Sequence, residues 1–236
     1  MRIHLLLQKQ SLQKMNNVRR VLIMTPAQSY TPEYVASLCQ TFKFGYENNI
    51  NIDIHTAAGS HVGQLREIMV EQIRISRLAY DKMLWIDSDI QWTVEDFAKI
   101  ISSPHPITVG SYHVSSDGKL SSTKQFGSNA TETCALAISP ISNSPSFFLL
   151  EELDSLPEYV GIYTSGFGFV CISRGVFGEM EVPYFSNKEV HNPSTGEKTF
   201  ETSEDASWFI RAHEAGFKPM LDTTIRLGHV KTVVWK

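Results

Sequence analysis

The sequence predicts an α/β sandwich around a largely parallel central sheet, and three observations carry that expectation. Short β-rich runs alternate with segments of helical periodicity along most of the chain, the pattern of helices laid on the faces of a parallel sheet. The run "RRVLIMT", ending at Pro26, reads as a first buried strand. The later run "YDKMLWIDSDIQW" ends its apolar stretch in two aspartates separated by one serine. Open α/β sheets bind ligands beyond the carboxyl ends of their strands, and these acids stand at such an end.

The elements follow in order. After the first strand, Tyr34, Leu38, Phe42 and Gly45 recur at near-helical spacing and predict a helix from 32 to about 48. "NINIDIHTA", residues 49 to 57, alternates as a second strand with Ile50, Ile52 and Ile54 on one face. Gly59 and Gly63 flank the entry to a helix over about 62 to 78. "KMLWID" is the third strand and "PITVGSYHV" another. Residues 115 to 160 are dense in Ser, Thr and Asn, with broken periodicity, and only "SFFLLEEL" within them looks orderable. A long irregular segment of this kind is expected to be functional or mobile. "YVGIYTSGFGFVCISRGVF" restores strand character, "VPYF" makes a turn, and "HNPSTGEKT" reads as a hairpin or loop tip. A helix, "SEDASWFIRAHEAG", stopped by Gly216, and a strand-like "PMLDTTIRLGHV" close the chain.

The chain of 236 residues suffices for one large domain with a sizeable core. Met15 opens a second plausible start that leads straight into the first strand, so residues 1–14 are expected to be a loosely attached extension and 15–236 a single domain. A net charge of -4, from 21 Lys+Arg against 25 Asp+Glu, offers no basic excess for a phosphate backbone and argues against nucleic acid as a partner. No apolar run approaches the roughly 18 residues that span a bilayer, and the apolar run near the start is shorter than a signal-peptide core. The expectation is a soluble, unexported, cytoplasmic protein. Cys39, Cys134 and Cys171 are far apart, lack metal-type spacing and read as reduced thiols. Asn129-Ala130-Thr131 matches a glycosylation acceptor that matters only on secretion.

If residues 87 to 89 remain extended, Asp87 and Asp89 point to one side and Ser88 to the other. Two carboxylates so placed repel each other unless one is protonated or a cation lies between them. A divalent ion such as Mn²⁺ or Mg²⁺ answers this, since hard cations take oxygen ligands and complete their shell with substrate phosphates. The plainer alternative is that both are loop acids, one of them capping the helix that starts near Thr93.

The company this triplet keeps resembles the GT-A fold nucleotide-sugar glycosyltransferases, in particular compact family-2-like members. "MLWIDSD", "SGFGF", "SED" and "GHV" stand in the family's order, and the resemblance spans about residues 21 to 230. It implies a Rossmann-like α/β/α sandwich and a metal-dependent transfer of a sugar from a nucleoside diphosphate, uridine-linked in preference to guanosine-linked, to a hydroxyl acceptor, with residues 115 to 160 as a variable loop on the acceptor side. It further implies that Asp89 and His229 bind the metal, and that Asp87 contacts the ribose or reaches the ion through water. Asp205 becomes the base, with Glu204 beside it. Inversion at the anomeric carbon follows if Asp205 is a base. "TSED" equally fits a capping box, with acids in the first helical turn complementing the macrodipole.

By the same resemblance Arg66 contacts the diphosphate, although Glu67 stands where the family has Asn. Gly166 and Gly168, read as lying within a strand, leave room either for a β-bulge or for a sugar ring close to the backbone. Thr25, Pro26 and Thr56 would border the nucleoside, with Ser88 alongside. Tyr184 and Phe185 could stack on a sugar; Trp208 is assigned to the core, and Lys231 to solvent. A sugar-phosphate nucleotidyltransferase is the alternative enzyme, but its family pattern has a glycine-rich, lysine-bearing loop after the first strand, and "MTPAQSYTPEY" has neither residue. A phosphatase pattern D-x-D-x-T/V fails at Gln91. A nucleotide- or carbohydrate-binding module without turnover is compatible with the same acids.

Overall fold

The computed structural model describes residues 18–113, 132–138, 145–191 and 198–230. The first apolar run forms β1 (Arg20–Pro26), followed by α1 (Pro32–Glu47), β2 (Asn51–Ala57) and α2 (Val62–Ser76). Next come β3 (Lys82–Ile86), β4 (Ile90–Gln91), α3 (Val94–Ser102) and β5 (Ile107–Tyr112). A series of shorter strands follows: β6 (Glu132–Ile138), β7 (Pro145–Leu149), β8 (Tyr159–Gly161), β9 (Thr164–Ser165) and β10 (Phe169–Ser173). A single turn, α4 (Val176–Glu179), the pair β11 (Glu189–His191) and β12 (Lys198–Glu201), α5 (Glu204–Glu214) and β13 (Met220–His229) complete the order.

The central sheet has eight strands in the order β2-β1-β3-β10-β5-β13-β4, with β8 also paired to β13. β1 runs parallel to β2 and β3, and β5 parallel to β13, while β10 is inserted antiparallel between β3 and β5. β1, β2, β3, β5 and β13 therefore share one direction. The chain moves outward from β1 to β2 and then back past β1 to β3. Right-handed crossovers in opposite directions put α1 and α2 on opposite faces, and α3 packs beside α1. This is a Rossmann-like α/β/α layering around a mostly parallel central sheet.

Val21–Met24 of β1 and Met83–Ile86 of β3 are buried almost completely, so both strands read as unbroken apolar runs rather than alternating ones. Burial of each such large side chain contributes about 1.5–3 kcal/mol. β2 lies at the sheet edge and shows it: Ile50 just before it is buried, Ile52 is half-buried and Ile54 is exposed.

Two sequence expectations change here. The stretch 115 to 160 is more regular than its composition implies, because β6 pairs with β7 and β9 in a three-stranded sheet. The Thr- and Ala-rich "TETCALAI" carries β6 on weak alternation, and the pairing partners rather than local propensity select the strand. Its remaining parts, 115–131 and 139–144, lie outside the described residues, as do residues 1–14, Asn129 and Lys231. No helix among the described residues is long and apolar enough to cross a membrane.

The second change concerns the cap of α3. Thr93 accepts from the Asp96 backbone N–H (3.1 Å) and Asp96 accepts from the Thr93 N–H (2.9 Å), a complete capping box. Neither Asp87 nor Asp89 is needed there. Thr93→Ala is expected to lower the unfolding free energy by about 1 kcal/mol, read from urea denaturation. A comparable loss in Asp87→Ala, with none in Thr93→Ala, would return the cap to the aspartate pair.

Candidate functional site

The chain does not stay extended after β3. The Ile90 N–H donates to the Asp87 carbonyl (3.1 Å), closing a turn over residues 87 to 90, and the Asp87 N–H donates to the Gly168 carbonyl (3.0 Å). The reversal is required because β4 must pair antiparallel with β13, with Ile90 opposite His229. The expectation that both carboxylates project to one side is therefore corrected, and the two acids have separate partners. Asp87 accepts from Arg66 Nη2 at 3.2 Å, and Asp89 Oδ2 lies 3.2 Å from His229 Nε2.

Arg66 is the hub of the first of these contacts. Its side chain is 3% exposed and meets three carboxylates: Asp205 through Nη1 in a short bond, Asp87 through Nη2, and Glu204 at 3.8 Å. The Phe167 ring lies 5.0 Å from the guanidinium carbon and Phe185 6.0 Å, so aromatic faces complete the environment of a planar cation. Burial works against its charge, and Asp205, Asp87 and Glu204 together more than offset it, holding the guanidinium above its ordinary value. Within the described residues, the arginine assigned by resemblance to a diphosphate is thus engaged by acids of its own chain.

Asp205 and Glu204 open α5, but the capping box expected of "TSED" does not form. Ser203 is the N-cap and accepts from the Ala206 N–H, which leaves the Asp205 side chain to point elsewhere. Its two oxygens accept from Arg66 Nη1 and from the Phe167 N–H (3.1 Å). Burial pushes the Asp205 carboxyl up to about 6; Arg66 opposes that, Asp87 and Glu204 reinforce it, and the Phe167 N–H opposes it.

The second contact is built at the ends of β4, β5 and β13. His229 Nδ1 lies 2.6 Å from the His113 carbonyl; a carbonyl only accepts, so Nδ1 carries the proton and Nε2 turns to Asp89. Two acceptor atoms 3.2 Å apart require either a second ring proton or a cation shared between them. A carboxylate and an imidazole are suitable donors for a divalent ion such as Mn²⁺, and in that respect the residues fit. Among the described residues no group of three or more His, Cys, Asp or Glu is arranged to hold a metal; Asp89 stands with His229, while Asp87 is turned to Arg66.

"GFGF" lies differently from its sequence reading. Gly166 and Gly168 occupy a bend between β9 of the small sheet and β10 of the central one, rather than a strand interior. A Cβ on Gly168 would stand 2.7 Å from Tyr112 Cζ, and the Gly168 N–H donates to Tyr112 Oη at 3.0 Å. The missing side chain accommodates Tyr112, whose ring also meets His229 edge-on at 5.3 Å.

At the ends of β1 and β2, Thr25 and Thr56 are opposite each other in register, with Pro26 following. Thr25 is buried and bonds Tyr34 Oη at 2.6 Å, while Thr56 is exposed. The Ser88 carbonyl accepts from the Thr31 N–H and hydroxyl, tying this rim to the aspartate turn. Tyr184, Phe185 and Trp208 are buried in the core, where Phe185 and Trp208 stack at 6.3 Å; the sugar-stacking expectation for Tyr184 and Phe185 is corrected, because both rings are consumed by packing.

Glu67, which in sequence reads only as a departure from the family pattern, accepts from the backbone N–H groups of Tyr184 (3.1 Å) and Phe185 (2.9 Å). From the other side Arg211 donates to the Ser186 carbonyl (2.7 Å) and hydroxyl (2.9 Å). The segment so clamped forms one wall of an open cleft of about 520 Å³ that also includes the first turn of α2 and Glu204. Tyr112, His113, Phe167, Glu67 and Arg211 are the residues that sequence reading missed at this site. Only the aromatic between the two glycines, Phe167, carried a signal.

The sequence matches no family model and no curated protein. Among solved structures, A197 from STIV aligns with a TM-score of 0.53 at 15% identity, covering 90% of this chain and 86% of that one. A Drosophila β-1,4-galactosyltransferase 7 mutant, in complex with manganese, UDP-Gal and xylobiose, aligns at 0.44 and 11% identity over 91% and 72% of the two chains. The inositol-1-phosphate CTP transferase from T. maritima aligns at 0.44 and 8% over 91% and 90%. At such identities the likeness is one of fold.

A carboxyl whose folded-state pKa lies above its ordinary value favours the folded state at low pH and loses that contribution as pH rises through the raised value. For Asp205 the loss runs from near pH 4 to about 6. Asp205→Asn is expected to remove this component, so that the stability difference between wild type and variant changes across that window. Denaturation midpoints at pH 4 and pH 7 check it; a difference independent of pH would show that the carboxyl titrates normally.

Proposed function

We propose that this chain is a glycosyltransferase that moves a sugar from a nucleoside-diphosphate donor, uridine-linked, to a hydroxyl acceptor with inversion, and that it works with Mn²⁺ or Mg²⁺. The observation that carries the reading is the convergence of chain segments far apart in sequence: Asp89 meets His229, and Asp87 is joined through Arg66 to Asp205. Asp87 and Asp89 follow the carboxyl end of β3 and His229 ends β13, where sheets of this kind bind ligands.

The chemistry has two demands. A proton must leave the acceptor hydroxyl as its oxygen bonds to the anomeric carbon, and the electron pair of the breaking bond must depart with the nucleoside diphosphate. Asp205 takes the proton: each carboxylate oxygen accepts more than one hydrogen bond, so Arg66 and the Phe167 N–H orient it without filling it. A value of about 6 suits a base that works near neutrality. Arg66 keeps positive charge beside Asp87, next to the departing group. A bound divalent ion would neutralise charge on the diphosphate, with Asp89 and His229 as its protein contacts. Thr25, Pro26, Thr56 and Ser88 form the rim assigned to the nucleoside, and Thr25 acts there through its position, since its hydroxyl is spent on Tyr34.

The test is release of UDP from a panel of UDP-sugars with Mn²⁺ and with chelator. Wild type is expected to release UDP in a metal-stimulated manner. Asp205→Asn should reduce turnover by about 10²–10⁴-fold while donor still raises the melting temperature, and the wild-type rate should fall on the acid side of about pH 6. Asp89→Asn and His229→Ala should each lose metal stimulation. Donor binding with no UDP release from any acceptor mixture would make the chain a binding module, and full metal-stimulated activity in either ligand variant would remove that ligand.

A further inference from the structure

The cleft between α2 and the segment 185 to 187 has a chemistry of its own. His61, Gln64, Ser186, Asn187 and Glu204 stand in its walls, and among the described residues no lysine or arginine lines it. Its volume of about 520 Å³ is that of a small-molecule site. Amide, hydroxyl and imidazole groups each both donate and accept, which matches a ligand presenting many hydroxyls. An anion would lose its hydration here without a cation in return. Glu204 also packs against the first turn of α2, where a Cβ on Gly63 would stand 3.0 Å from Glu204 Cβ, which brings a carboxylate rather than a cation to this wall.

The wall is held rather than loose. Glu67 takes the N–H groups of Tyr184 and Phe185, and Arg211 holds Ser186 from α5. Glu204 links the cleft to the proposed base, since it is 3.8 Å from Arg66 Nη1, the same nitrogen that bonds Asp205.

From these observations, and resting on the glycosyl-transfer reading, we propose that this cleft is the acceptor subsite and takes an uncharged, hydroxyl-rich group such as a sugar ring, with Gln64 and Asn187 as its selecting side chains. Glu204 excludes acidic acceptors and, through Arg66 Nη1, connects the cleft to Asp205.

The test omits the donor, so that it stands apart from UDP release. Full-length protein is titrated with methyl glucoside, glucuronate and glucosamine while the side-chain amide signals of Gln64 and Asn187 are followed by NMR. Methyl glucoside is expected to shift both signals saturably, with glucuronate at least about tenfold weaker, a gap of about 1.4 kcal/mol. The combined Gln64→Ala and Asn187→Ala variant, followed by calorimetry, should weaken methyl glucoside by about tenfold or more. Absence of saturable shifts, equal binding of glucuronate, or undiminished binding in the double variant overturns the proposal. A protein that binds methyl glucoside here but releases no UDP keeps the sugar site and loses the transfer reading; one that releases UDP without these shifts loses the subsite alone.

Discussion

A single buried guanidinium organises this end of the molecule. Removing an arginine from water costs several kcal/mol, and Arg66, almost wholly enclosed, recovers that through Asp87, Glu204, Asp205 and the faces of Phe167 and Phe185. The three acids come from the turn after β3 and the first turn of α5. Taking away one partner of such a buried group costs about 3–5 kcal/mol, so the positions of these two elements are coupled through one side chain. The three acids hold the guanidinium charged, while burial, reinforced by Asp87 and Glu204, raises Asp205 to about 6.

Capping is delegated in a way that leaves the acids available. α3 is capped by Thr93 and Asp96, and α5 by Ser203. Had Asp89 capped the one, or Asp205 the other, those carboxylates would be tied to backbone N–H groups of their own helices. Asp205 instead accepts from the Phe167 N–H, within the bend that joins the small sheet to the central one. The same bend accepts Tyr112 against Gly168, and Tyr112 lies edge-on to His229. The Asp205 carboxylate and the His229 imidazole are therefore positioned by neighbouring parts of one segment.

Much of this was legible in the chain. β1 and β3 are unbroken apolar runs, α5 begins at an acidic turn after serine and ends before Gly216, and the acid-bearing turn is at a strand's carboxyl end, so each was readable from local pattern. The partners were not. Arg66 in sequence is one arginine near a helix start, and its bond to Asp205 spans 139 residues. Glu67 reads only as a departure from the family pattern until the segment at Tyr184 is folded against it. The extended reading of residues 87 to 89 failed because the pairing of β4 with β13, a contact between distant strands, bends the chain there.

The sequence by itself determined the layered α/β class, the order of its main strands and which chemistry-bearing residues stand at their ends, because periodicity and turn chemistry act over a few neighbouring residues. Tertiary structure alone decided that Asp87 turns to Arg66, apart from the pair that Asp89 makes with His229, 140 residues away. The physical reason is that a charge takes its partner from whatever is nearest in space after the core closes, and proximity across a sheet leaves no mark on local sequence.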